Sequence, residues 1–122
     1  MATITDLKKY KDHVFSSGVY TGKDYINFQT KYINYLKFIG KTNGWEVCKV
    51  MKNHYCFSAF IQSRGKYIYL SISDVRWSKD WLENILYRTA ASETDYTGGQ
   101  NRYTSLDNLE RSLSILFERM CV

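Results

Sequence analysis

In residues 67–73 every second side chain is aliphatic. Ile68, Leu70 and Ile72 fall on one side, and Tyr67, Tyr69, Ser71 and Ser73 on the other. A period of two is the signature of a strand with one face on a core and the other half-exposed, which is the pattern of an antiparallel sheet rather than a buried parallel one. This strand, read over 67–77, constrains the rest of the chain. An apolar face of this kind needs neighbouring strands beside it and helices on top of it.

The neighbours are legible on both sides. Ser63-Arg64-Gly65-Lys66 is a hairpin turn in which Gly65 supplies the left-handed position. Before it, residues 55–62 are aromatic and β-branched enough for a strand. Before that, Asn53-His54 is a two-residue turn signal and residues 45–52 form a further strand. The alternation there sets Trp45, Val47 and Met51 against Glu46, Cys48, Val50 and Lys52, with Lys49 the polar exception on the first side. Residues 81–90 are ambiguous. Trp81, Leu82, Ile85, Leu86 and Thr89 have helical spacing, while Ile85, Tyr87 and Thr89 alternate with Leu86, Arg88 and Ala90. A strand from about Asn84 is favoured, because a meander continues naturally from the preceding hairpin.

Helical stripes flank this run. Residues 5–16 place Leu7, Tyr10, Val14 and Phe15 on one face, with Gly18 as terminator. From Thr21 a longer helix carries Tyr25, Phe28, Tyr32, Tyr35, Leu36 and Ile39, with Thr21 and Asp24 at capping-box spacing and Gly40 as its stop. The last helix is capped by Thr104 or Ser105 and has Asp107 in its first turn. Leu106, Leu109, Leu113, Leu116, Phe117 and Met120 form its stripe. The expected fold is a single α+β domain over residues 1–122. It has two N-terminal helices, a three- or four-stranded antiparallel meander, and a C-terminal helix packed on the same sheet face as the second helix.

At 122 residues the chain supports one modest core. Eleven tyrosines are too many to bury, so part of them is expected on a contact surface. The net charge of +5 divides as +4 over residues 1–41, +3 over 42–90 and −2 over 91–122. The positive field therefore belongs to the first helices and the sheet, a bias toward anionic partners. Lys8, Lys9, Lys11, Lys23, Lys31, Lys37 and Lys41, interleaved with Tyr and Asn, form either a solvated helix face or a nucleic-acid-facing surface.

The cysteines are Cys48, Cys56 and Cys121. A turn centred on Asn53-His54 sets Cys56 opposite Met51 and Cys48 opposite Ala59, so no disulfide is expected across that hairpin. The odd count, with no secretory signal and no membrane-length apolar run, points to the cytoplasm and to no membrane partner. The cysteines are expected to act as small buried hydrophobes.

Catalytic motifs are missing. His13 and His54 do not stand at metal-ligand spacing, so no metal site, cofactor or catalytic residue is assigned. The single Asp-x-Lys, Asp6-Leu7-Lys8, lies on a predicted helix and not on the strand a metal-dependent nuclease needs. The candidate site is a binding site instead. The loop 95–103 carries Tyr96, Gly98, Gly99, Asn101, Arg102 and Tyr103 ahead of a helix N-terminus. Two glycines there can offer backbone N–H groups to an anion, and Arg102 a planar donor fork, although the lysine and spacing of a Walker loop are absent. The plainer reading is an ordinary connection. Arg76 and Arg88, near Asp74 on neighbouring strands, either form a structural ion pair or converge with Arg102 on one anionic ligand.

The order α-β-β-β-α resembles the double-stranded-RNA-binding domain. The last helix here opens acidic, with Asp107 and Glu110, where that family's opens basic, so no binding residue is carried over. In size and in its Lys-, Asn-, Tyr- and Ile-rich character, the chain resembles the small anti-defence proteins of phages and mobile elements, anti-CRISPR proteins among them. This resemblance implies a non-enzymatic inhibitor that occupies the functional surface of a bacterial defence effector in the host cytoplasm. The other reading is a nucleic-acid or nucleotide-binding module using the basic surface and the Gly-Gly loop.

Overall fold

The computed structural model describes residues 4–5, 7–9, 23–52, 57–72, 82–95 and 99–120. Its elements are helix α1 (Lys23–Asn43), strands β1 (Glu46–Lys52), β2 (Phe57–Ser63), β3 (Lys66–Ile72), β4 (Ile85–Ala90) and β5 (Arg102–Thr104), and helix α2 (Leu109–Met120). The strands form one antiparallel sheet in the order β1-β2-β3-β4-β5, an uninterrupted meander.

The α+β class and the antiparallel meander agree with the sequence, and the details differ. Among the described residues one N-terminal helix, α1, is complete. Ahead of it residues 4–5 and 7–9 are helical, and Leu7 is buried in the core. Tyr10, Val14, Phe15 and the Thr21 cap lie outside the described residues. The sheet has a fifth strand, inside the segment read as loop. Three residues are too few for a periodicity to register, so β5 had no sequence signal of its own.

Helix α1 does not stop at Gly40. It runs on to Asn43, and Gly44, at φ 77°, ends it. The Trp45 N–H donates to the Gly40 carbonyl at 2.7 Å, the six-residue closure of a Schellman turn. Gly40 has a packing role. A Cβ there would lie 2.9 Å from the Trp45 carbonyl oxygen, so only glycine lets the chain fold back this closely.

The hairpin between β2 and β3 has Ser63 opposite Lys66, leaving Arg64 and Gly65 as the two turn residues. Both have positive φ, 52° and 76°, as a type I′ turn requires. The β1–β2 connection is longer than the predicted two residues. Lys52 pairs with Phe57, so 53–56 form the connection, and Val50 rather than Cys48 faces Ala59. A bulge between Val47 and Lys49 also overturns the expected face assignment in β1. Val47 and Val50, three residues apart, both pack on the core, while Lys49 and Met51 go to the opposite face.

The core lies on one side of the sheet. Phe57, Ala59, Ile61, Ile68, Leu70, Ile72 and Ile85 meet Phe28, Tyr32, Leu36 and Ile39 of α1 and Leu109, Leu113, Leu116 and Phe117 of α2. Both helices therefore cover the same sheet face. Asn43 ties them together, donating to Glu110 Oε2 at 2.7 Å. Ser105 caps the start of the last helical segment by accepting the Asn108 N–H.

Candidate functional site

With both helices on one face, the alternation of each strand assigns the side chains of the other. That open face carries Lys49 and Met51 from β1, Ser58 and Phe60 from β2, and Tyr67, Tyr69 and Ser71 from β3. Leu86, Arg88 and Ala90 come from β4, and Tyr103 from β5. Tyr69 is the centre of an ordered chain of contacts. Its ring centroid is 5.2 Å from that of Phe60, its register partner. Its hydroxyl is 3.1 Å from Ser58 Oγ, which in turn is 3.3 Å from Ser71 Oγ. The Arg88 guanidinium carbon stands 5.1 Å from the Tyr69 ring centre, and Arg88 Nη1 donates to Asn101 Oδ1 at 2.9 Å. Tyr103 lies beside this group with 59% of its surface exposed.

The Arg88 side chain in this patch is held in place from two sides. The guanidinium is held between a ring face and an amide oxygen, so little side-chain entropy is left to lose on binding. Arg88 Nε is buried and, among the described residues, has no hydrogen-bond partner. Phe60 is only 1% exposed although it lies on the open side. A turn follows β4. Asp95 N–H to Ser92 O closes it, and the Glu93 carboxylate comes near the Cys48 thiol at the far edge of the sheet. Burial, and then the Glu93 charge, push the Cys48 thiol above its ordinary range, and the thiol donates to the Phe60 carbonyl at 3.3 Å. Cys48 is a free thiol. Cys56 and Cys121 lie outside the described residues.

Of the predicted site, Arg88, Asn101 and Tyr103 come together on the open face. Arg102 does not join them. It pairs with Tyr87 on the helix side, where Thr104, two residues on, is buried and its hydroxyl is 2.7 Å from Ser112 Oγ of α2. Adjacent residues of a strand point to opposite faces, so Arg88 and Arg102 do not converge on one ligand. Gly99 does not offer an open backbone. At φ 83° it packs onto Thr89, and a Cβ would lie 2.5 Å from the Thr89 carbonyl oxygen. Arg76, Tyr96 and Gly98 lie outside the described residues. The helix start after the loop is already occupied, by Ser105 as cap and by Asp107, which pairs with Lys8 at 2.7 Å. Lys8 of the predicted basic face is thus ion-paired, while Lys9, Lys37 and Lys41 are exposed.

Sequence reasoning missed Tyr69, Phe60 and Tyr67 as site residues. The signal was present in the alternation of Tyr67, Tyr69 and Ser71, which marked the half-exposed face. Among the described residues no group of three or more His, Cys, Asp and Glu side chains comes together as a metal site. His13 and His54 lie outside the described residues. Among the described residues, no helix is long and apolar enough to cross a membrane. Comparison of the chain with protein families, with curated proteins and with solved structures found no match.

Proposed function

We propose that the chain is a non-enzymatic protein-binding module whose working surface is the open face of the sheet, centred on Arg88, Asn101 and Tyr103. The observation that carries this reading is the Tyr69–Arg88–Asn101 arrangement beside an exposed Tyr103. Tyr, Arg, Phe and Met are the residue types enriched at protein interfaces, and buried, pre-set arginines and tyrosines carry most of their binding energy. The partner is a protein of a bacterial defence complex in the host cytoplasm, as the resemblance to anti-defence proteins implies, and binding blocks that partner's functional surface.

The test is a protection assay in bacteria with an active defence system, followed by affinity capture. Tyr103→Ala should weaken partner binding by about 2 kcal/mol, roughly thirtyfold, with the melting temperature nearly unchanged. Full protection by a Tyr103→Ala, Arg88→Ala double variant would remove the open face from consideration.

A second reading rests on the same face. Rings from Tyr67 and Tyr103 with cations from Lys49 and Arg88 are the elements of a single-strand stacking platform. In that case binding to a short single-stranded oligonucleotide should fall steeply with salt and depend on Tyr103. Absence of binding at low salt would leave the protein partner alone.

A further inference from the structure

On the helix side, β4 and β5 meet α2 across a cleft of about 240 Å³ lined by Tyr87, Arg102, Ser112, Ile115, Leu116 and Arg119. We propose that this cleft is an oxyanion site for a phosphate group, held by Arg102 from the sheet and Arg119 from the helix. Three observations carry it. First, among the described residues two guanidinium groups line one small cleft and no carboxylate does. Second, Arg102 Nε is buried and has no hydrogen-bond partner among the described residues. A buried guanidinium N–H without an acceptor is costly, and the negative charge of an oxyanion beside the same guanidinium offsets that cost. Third, the acids nearest in sequence are turned elsewhere. Glu118 lines the cleft beside Trp45, and Glu110 accepts from Asn43. Among the described residues the one ion pair is Lys8–Asp107, so neither arginine is neutralised there.

The chemistry of the lining selects the ligand. Arginine forks match tetrahedral phosphate oxygens with paired N–H donors. The hydroxyls of Ser112 and Tyr87 add polar contacts, and Ile115 and Leu116 form an apolar wall. The ligand is therefore a compact phosphate, either free or as a terminal phosphate ester. This site is separate from the open face, since Arg88 and Arg102 are on opposite sides of the sheet, and it stands or falls independently of the protein-binding reading.

The experiment is a ¹H–¹⁵N titration that follows the arginine Nε–Hε signals of the intact chain. Inorganic phosphate should shift the Arg102 signal in a saturable way, and sodium chloride at equal ionic strength should not. Arg119→Gln should weaken the apparent phosphate affinity by at least tenfold with the melting temperature unchanged, while Lys37→Gln, on exposed α1 surface, should leave it as it is. Arg102→Gln should abolish the response. Should that variant fail to fold, Arg119→Gln carries the test alone. A nucleoside 5′-monophosphate arm distinguishes the sources. Tighter binding than inorganic phosphate marks a terminal phosphate ester as the ligand, and equal binding marks free phosphate. A linear shift that chloride reproduces, or an Arg119→Gln titration identical to wild type, overturns the proposal.

Discussion

Arg88 and Tyr69 are register partners on β4 and β3, and the arginine's guanidinium carbon lies 5.1 Å from the centre of the tyrosine ring. The pair couples two strands on the side of the sheet opposite α1 and α2, and it holds Arg88 where Asn101 can accept from it.

That coupling is measurable. A double-mutant cycle with Tyr69→Leu and Arg88→Met, read by urea unfolding, should give an interaction free energy of about 0.5–2 kcal/mol. Arg88→Lys should recover only part of it, because an ammonium lacks the planar fork that reaches both the ring and Asn101. A coupling of zero would mean that the contact contributes nothing to stability.

Gly99 and Gly44 should respond differently to alanine. Both have positive φ, which costs a non-glycine residue about 1–2 kcal/mol. At Gly44 nothing lies within 4 Å of the added Cβ, so that figure is the whole expected loss. At Gly99 the Cβ meets the Thr89 carbonyl oxygen at 2.5 Å and its hydroxyl at 2.6 Å. Gly99→Ala should therefore be the more destabilising of the two. It should also raise amide exchange in β5, since the clash pushes the chain away from β4.

Tyr32 has a fully buried hydroxyl with no hydrogen-bond partner among the described residues. Phenylalanine keeps the shape and removes the orphan, so Tyr32→Phe should be neutral or stabilise by about 1–3 kcal/mol. Burial, and then the neighbouring Tyr35, push the Tyr32 phenol well above the usual tyrosine range. The folded-state pKa is raised, so the proton is kept in the fold after the unfolded chain has lost it. The associated stability is full below pH 10, the ordinary value, and declines as pH rises above it. Between pH 10 and 11.5, Tyr32→Phe should lose stability less steeply than wild type in chemical denaturation. Parallel slopes would place the alkaline sensitivity on other tyrosines, Tyr35 first, whose phenol is also raised by burial.

Leu36 and Leu113 both have zero exposure and come from the two helices over one sheet face. Leu36→Ala and Leu113→Ala should each cost about 2–5 kcal/mol in denaturant unfolding. A loss below about 1 kcal/mol at either site would contradict the packing of that helix on the sheet.

By itself the sequence determined what depends on neighbours a few residues apart. The alternation of Ile68, Leu70 and Ile72, the Arg64-Gly65 turn, the Ser105 cap and the Leu109–Leu113–Leu116 stripe are all local periodicities or local backbone preferences, and the structure follows them. Tertiary structure decided what depends on partners distant in the chain. The bulge at Cys48 resets which residues of β1 face the core, so Lys49 and Met51 reach the open side although simple alternation divides them otherwise. Just ahead of β5 the chain at Gly99 presses against Thr89, a contact invisible at either position alone. Its pairing with β4 then sends Arg102 to the helices and leaves Asn101 to meet Arg88. Three candidate residues close together in the sequence were thus divided between two faces of one sheet, since a strand's side chains alternate and only the pairing of β5 with β4 says which residue faces which way.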